Sequence, residues 1–253
     1  MRSDPPPRSL FLTERAATVS AVMHPAVLIP EGKFDASWLR LFGRVADLTE
    51  LPADPEGATF THEVGVIPTK DARINETYHD LAIVHPALTC LVDGDQSGND
   101  YRNALSGGAS PYPRIIQWPN GWTIEDVVAW VCTADPTVIA HADLDAFGLP
   151  ANIAALAAHL KKDGPKRDEI LHTSLADVIV TKPACSRRVR HILSVPAAIA
   201  TGKAPPANSA AQVTHANGIT FSMRAQISAS SQRQGSVRVS PSIIISRMTH
   251  PFG

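Results

Sequence analysis

Apolar and polar residues along the first half of the chain form blocks that predict strands and helices in alternation. A short apolar run at 26–30 (AVLIP) precedes a segment whose apolar side chains recur at helical spacing. A helix predicted at 71–84 is followed by a strand at 88–93 (LTCLVD), and a strand at 114–118 (RIIQW) leads into a helix at 123–132 (TIEDVVAWVC). This alternation predicts an α/β domain with a mainly parallel sheet flanked by helices.

The remaining segments differ from this domain in composition. A strand is also predicted at 62–67 (HEVGVI), and the last third of the chain is first helical and then rich in Pro, Ala, Ser and Gln. Such a polar, low-complexity tail buries little apolar surface, so we expect it to be irregular and disordered. The predicted organisation is a leader with a linker helix at 1–22, the α/β domain at 23–145, a small helical segment at 146–200 and the tail at 201–253.

Composition narrows the class of protein. The chain has 253 residues, 44% of them hydrophobic, which is enough for a sizeable core, and its net charge of -1 gives no general reason to bind nucleic acid or membrane. No acidic residue follows Asp177. The three cysteines form no CxxC pair, and no run of ~18 apolar residues or signal-peptide core occurs. We therefore expect a cytoplasmic protein with no membrane partner.

Acidic residues follow three of the predicted strands. Glu31 and Asp35 come after the first, Asp93 and Asp95 after LTCLV, and Glu125 after RIIQW. Because parallel strands end at one edge of a sheet, these carboxylates are expected to converge there. Without a cation they would repel one another and raise each other's pKa, at a cost in stability. Oxygen ligands with no nearby His or Cys favour Mg²⁺ or Mn²⁺.

The spacing of these residues fits a shared site, although simpler explanations exist. Asp93 and Asp95 are two positions apart in an extended segment, so they point to one side, and Asp35 follows Glu31 by about one helical turn. An ordinary acidic turn also accounts for the DGD sequence. If Thr123 is the N-cap of a helix, a carboxylate in the first turn is favoured by the helix dipole. This effect alone also accounts for a glutamate at position 125.

Three segments together resemble a known family: IPEGKFD, LVDGDQSG and WPNGWTIEDVVAW. They are similar to the Toprim domain of the OLD (overcoming lysogenization defect) endonucleases. A glutamate after the first strand and a later DxD are general Toprim features, whereas Asp35, GVIPTKDARINETY and the tryptophan-flanked IED helix resemble the OLD group. The similarity covers about residues 20–175. It implies a Toprim-type fold, DNA as the partner, and metal ligation by Glu31, Asp35, Asp93, Asp95 and Glu125.

The resemblance also implies a reaction. A metal-dependent endonuclease or nickase would use two Mg²⁺ or Mn²⁺ ions to hydrolyse a phosphodiester bond, with Glu31 also taking part in catalysis. A lysine after the IED helix would offset charge on the phosphate. Lys166 is preferred over Lys182 because its KRDEILH context resembles the family's helical segment, and a solvated surface lysine is the alternative for both.

Departures from the family pattern leave two other functions open. Pro30 replaces the usual aliphatic residue before the glutamate, and no GxxxxGK[ST] loop occurs in the chain. An ATPase domain or subunit outside this chain is therefore a further expected partner. A degenerate, non-catalytic Toprim fragment that binds DNA or a partner is one alternative. A HAD-like phosphatase is the other, although its DxD normally follows the first strand.

Overall fold

The computed structural model describes residues 15–49, 60–69, 73–107, 114–133, 141–200, 202–203, 212–214 and 220–221. Its strands are β1 (Ala26–Pro30), β2 (Val64–Val66), β3 (Leu88–Val92), β4 (Arg114–Gln117), β5 (Gln212–Thr214) and β6 (Thr220–Phe221). Its helices are α1 (Arg15–Val22), α2 (Lys33–Leu48), α3 (Phe60–Glu63), α4 (Ile74–Ala82), α5 (Gln96–Ser106), α6 (Ile124–Cys132), α7 (His141–Asp145), α8 (Ile153–Leu160), α9 (Asp163–Arg167), α10 (Glu169–Thr181) and α11 (Pro183–Ala200).

One sheet organises the domain, with strand order β2-β1-β3-β4-β5-β6. The first four strands are parallel, while β5 runs antiparallel to β4 and β6 antiparallel to β5. The predicted α/β class with a mainly parallel sheet is confirmed. Pro30, the last residue of β1, pairs with Leu91, one residue before the end of β3, so the residues that follow the two strands lie side by side.

Alternate residues of the strands feed two apolar layers, as expected when both faces of a sheet are covered by helices. Leu28, Leu91 and Ile116 pack with α2, α6, α10 and α11 on one face. Val27, Cys90 and Ile115 pack with α4 and α5 on the other. The larger layer matters for function because α2 and α6 both begin at the carboxyl end of the sheet.

Two local predictions differ from the structure. The strand predicted at 62–67 begins only at Val64, because Phe60–Glu63 forms a helical turn. The sequence predicts no helix directly after Asp95, but Gln96–Ser106 is one. This helix is largely polar, with Gly98 and Leu105 as its buried residues, so it carries almost no apolar periodicity for a sequence reading to detect.

The ends of the chain are described only in part. Within the segment predicted to be a low-complexity tail, β5 and β6 extend the sheet beyond β4, and the rest apart from 202–203 lies outside the described residues. The leader lies outside them as far as residue 14, after which α1 occupies the predicted linker helix. No helix in the described part of the chain is long and apolar enough to cross a membrane.

Candidate active site

The ends of β1 and β3 are joined by a side chain. Oε2 of Glu31 accepts a hydrogen bond of 2.9 Å from the backbone N–H of Asp93. The hydroxyl of Thr69 donates to the carbonyl oxygen of Pro30 at 2.6 Å and lies 2.7 Å from that of Glu31. Because these groups satisfy the backbone where β1 stops, Glu31 is held directly beside the DGD loop.

Asp35 is brought to the same place by the start of α2. Gly32 is the N-cap of this helix, and a Cβ at position 32 would lie 3.0 Å from Oδ2 of Asp35. The absence of a side chain at Gly32 therefore leaves room for the carboxyl group. Asp35 is 7% exposed, and burial, followed by the charges of Glu125 and Glu31, raises its pKa to about 7.

The DGD loop is bonded directly to the loop that precedes α6. The N–H of Gly94 donates to the carbonyl of Trp122 at 2.7 Å, and the N–H of Gly121 donates to the carbonyl of Gly94 at 2.8 Å. A Cβ at position 94 would lie 1.9 Å from the carbonyl oxygen of Pro119, so only glycine allows this approach. The contact places the start of α6 beside the aspartates.

Asp95 has a structural role. It is the N-cap of α5, and its Oδ1 accepts a 2.9 Å hydrogen bond from the N–H of Gly98. A Cβ on Gly98 would lie 1.9 Å from the carbonyl oxygen of Asp93, so the first turn of α5 lies directly against the strand end. Capping of α5 thus occupies one carboxylate oxygen of Asp95. The negative charge of Asp95 still acts to raise the pKa of Glu31 and of Asp93.

Asp93 has a carboxylate group that its neighbours do not stabilise in the charged form. Its Oδ1 is buried and has no hydrogen-bond partner. Burial raises the pKa of Asp93 to about 9, and the charges of four other carboxylates act in the same direction. These carboxylates are Asp35, Glu31, Asp95 and Glu125.

The pKa of Glu31 is also raised. Burial is the largest cause, and the charge of Asp95 adds to it, while the N–H of Asp93 and the charge of Lys166 lower it. The five carboxylates that follow the strands therefore interact electrostatically, as expected for residues that follow parallel strands and meet at one edge of the sheet.

Glu125 and Asp126 stand side by side at the start of α6 but have different partners. Oδ2 of Asp126 accepts the backbone N–H of Thr123 at 2.7 Å and pairs with Lys161 at 2.7 Å. Glu125 is 3% exposed, accepts the Thr123 hydroxyl on Oε2 at 2.7 Å and pairs through Oε1 with Lys166 at 3.2 Å. Thr123 is the N-cap, as predicted, but Asp126 rather than Glu125 completes the cap.

The two candidate lysines lie in different surroundings. Lys166, in α9, pairs with Glu125, and its charge lowers the pKa of both Glu31 and Asp35. Lys182 pairs at 2.7 Å with Asp143 of α7. The structure therefore brings Lys166, and not Lys182, into contact with the carboxylates.

Sequence reasoning missed two residues that support this arrangement. Thr69 binds the end of β1, as described above, and lies within the stretch GVIPTKDARINETY. His172 of α10 hydrogen-bonds through Nε2 with the carbonyl oxygen of Pro165 at 2.9 Å, and its ring lies 4.5 Å from that of Trp38. His172 thus ties α9, which carries Lys166, to α2, and nothing in its sequence context signals this role.

The donor set has the chemistry of a site for a hard divalent cation. All five acidic side chains offer oxygen, burial opposes the ionised forms of Glu31, Asp35 and Asp93, and Asp93 keeps an unpaired oxygen. Within the described ranges, however, no three His, Cys, Asp or Glu side chains already form a group that could hold a metal ion.

Comparisons with known proteins give no match: no protein-family model, no curated protein and no solved structure matches the chain. Any functional conclusion therefore depends on the chemistry of the site and on the motifs quoted above. It also depends on experiments that test them directly.

Proposed function

We propose that the protein is a metal-dependent DNA endonuclease or nickase that hydrolyses phosphodiester bonds at the carboxyl edge of its sheet. The observation that carries the proposal is the unpaired, buried Oδ1 of Asp93 amid mutually repelling carboxylates. A cluster of this kind costs stability unless a cation offsets it, and strongly perturbed pKa values are typical of functional sites.

Each side chain has a distinct task in the proposed reaction. Two Mg²⁺ or Mn²⁺ ions would supply an activated water and neutralise charge on the leaving oxygen. Asp93 and Asp95 would hold the ions, and Glu31, Asp35 and Glu125 would complete the ligand set. The resemblance of the chain to the Toprim domain of the OLD endonucleases supports the same assignment.

Glu31 and Lys166 would act on the reacting groups. One oxygen of Glu31 accepts the N–H of Asp93, so the other oxygen, Oε1, would accept a proton from the attacking water. The ammonium group of Lys166, 3.2 Å from Glu125, would offset the charge that develops on the phosphate. The preference for Lys166 over Lys182 thus gains support from its position.

Cleavage of supercoiled plasmid tests the proposal. Purified protein should convert the plasmid to nicked or linear product with Mg²⁺ or Mn²⁺, and EDTA should stop the reaction. Asp95→Ala should lower the rate by about 10³-fold or more, on the scale of losing an essential catalytic group. Asp143→Ala is the matched control, because Asp143 is an aspartate that pairs with Lys182, away from the carboxylate cluster.

Two outcomes would contradict the proposal. Inactivity of the wild-type protein with both metals would do so, and so would equal activity in wild type and Asp95→Ala, which would indicate a contaminating nuclease. Inactive protein that still binds DNA would support a non-catalytic binding module. A covalent aspartyl-phosphate would instead support a HAD-like phosphatase.

A further inference from the structure

An aromatic ring flanked by two ammonium groups lies at the start of α2. Nζ of Lys33 is 5.0 Å from the centroid of the Phe34 ring, and Nζ of Lys166 is 5.4 Å from it. Phe34 is partly exposed and Lys33 is exposed. Both distances are within the range of cation–π attraction, so the ring and the two cations form one surface element.

This element borders the proposed active site. The ammonium group of Lys166 that approaches the ring also pairs with Glu125, and Phe34 directly precedes Asp35 in the chain. The other aromatic residues of α2 have a different role, because Trp38 and Phe42 are buried in the larger core layer at 1% and 0% exposure. Phe34 lies outside both apolar layers, so packing alone does not explain a phenylalanine here.

A nucleic-acid strand is the ligand whose chemistry fits both parts of this element. Ammonium groups attract phosphates, which the neighbouring carboxylates would repel, and an aromatic face stacks on an unpaired base of any sequence. Bases within an intact duplex are already stacked on one another and offer no free face to the ring.

We propose that Phe34, flanked by Lys33 and Lys166, is a base-stacking contact for an unpaired strand. The inference rests on the proposed endonuclease function and specifies its substrate: DNA with at least one unpaired base beside the phosphate at the acidic edge. Single strands, gaps and flaps meet this requirement, and fully paired linear duplex does not.

Fluorescence anisotropy with a labelled single-stranded oligonucleotide and the matching duplex tests the contact, with EDTA and with Ca²⁺ in place of Mg²⁺. Wild-type protein should bind the single strand more tightly. Phe34→Leu should weaken that binding by about fivefold or more, because it keeps an apolar side chain but removes the stacking face. Phe34→Trp should retain the binding. Phe147→Ala is the control, since Phe147 is an exposed phenylalanine, at 39%, in the turn after α7.

Lys33→Ala should behave differently from the Phe34 variants. It removes a phosphate contact, so it should weaken single-strand and duplex binding alike and make affinity less dependent on salt. A selective loss of single-strand binding in Phe34→Leu, beside a uniform loss in Lys33→Ala, would support the two assigned roles.

Equal single-strand affinity in wild type and Phe34→Leu would overturn the inference, as would a wild-type protein with no preference for the single strand in either condition. The readout is binding and not cleavage, so the two proposals can fail separately. A protein that cannot cut plasmid but loses single-strand binding on Phe34→Leu contradicts the endonuclease and supports the stacking contact. Metal-dependent cleavage by the wild type, together with normal single-strand binding by Phe34→Leu, would support the endonuclease and contradict the stacking contact.

Discussion

Two regions of the molecule hold charged side chains in buried surroundings, and they compensate those charges differently. In α11, Arg190 is 4% exposed, and its Nη1 donates to the carbonyl oxygen and hydroxyl of Thr49 at 2.7 and 2.9 Å. Thr49 is the C-cap of α2, where a positive charge is favoured by the helix dipole. At the acidic edge, by contrast, Asp93 lies among four other carboxylates whose charges all raise its pKa.

Arg188, two residues before Arg190 in α11, is also held by contacts with another helix. Its guanidinium lies 4.1 Å from the centroid of a Trp130 ring and donates to the Trp130 carbonyl at 2.8 Å. Arg188 and Arg190 thus join α11 to α6 and α2. A buried charge that neighbouring groups bind is a structural feature, whereas a cluster of buried charges of one sign is typical of a functional site.

The largest effect is expected in the helical region. Arg190→Ala should lower the free energy of unfolding by about 3 kcal/mol, because it leaves the partly buried acceptors of Thr49 without their donor and opens a cavity. Urea denaturation measures this loss. Arg187→Ala on the same helix is the control, because Arg187 is exposed. Similar stability of the two variants would show that Arg190 does not support the packing as described.

The next effect separates the two lysines. Lys166→Ala should lower the rate of plasmid cleavage by about 10²-fold, the scale known for one electrostatic group in a transition state, while Mn²⁺ binding is retained. Lys182→Ala should cleave nearly as wild type, since its partner Asp143 lies outside the carboxylate cluster. The reverse order of rates would mean that the wrong lysine is assigned, even if the carboxylates are correct.

A smaller effect concerns pH in metal-free protein. Asp93 and Asp35 have pKa values raised to about 9 and about 7, so the folded protein keeps protons that the unfolded chain releases near pH 4. Their contribution to stability is therefore complete below about pH 4 and falls as pH rises toward the folded-state pKa values, about 7 for Asp35 and about 9 for Asp93. Asp93→Asn stays neutral, so in EDTA it should melt at a higher temperature than wild type at about pH 9 and differ less at pH 6. Identical melting profiles across this range would contradict the proposed repulsion.

Much of the fold could be predicted because its signals are local. The apolar run AVLIP became β1 with the predicted bounds, and the helix predicted at 123–132 begins at Ile124. Helix α5 could not be recognised by periodicity, because its stability depends on Asp95 capping and on the contact of Gly98 with the end of β3.

In the candidate site, too, the features that depend on local sequence could be predicted, and those that depend on long-range contacts could not. The strand-end rule placed the five acidic residues at one edge, but it could not tell Glu125 from Asp126, since both lie in the first turn of α6. That distinction depends on Lys166 and Lys161, which approach from a distant part of the sequence. The bond between Gly94 and Trp122 likewise joins two loops whose contact no local pattern reveals.

We propose that the carboxylates around Asp93 bind a divalent cation, and Mn²⁺ binding tests this directly. The electron paramagnetic resonance signal of free Mn²⁺ can be followed during titration with wild type, Asp93→Ala and Asp143→Ala. Wild type and Asp143→Ala should remove Mn²⁺ from solution with similar affinity, and Asp93→Ala should bind at least about tenfold more weakly. Equal binding by wild type and Asp93→Ala would show that Asp93 does not hold a divalent cation.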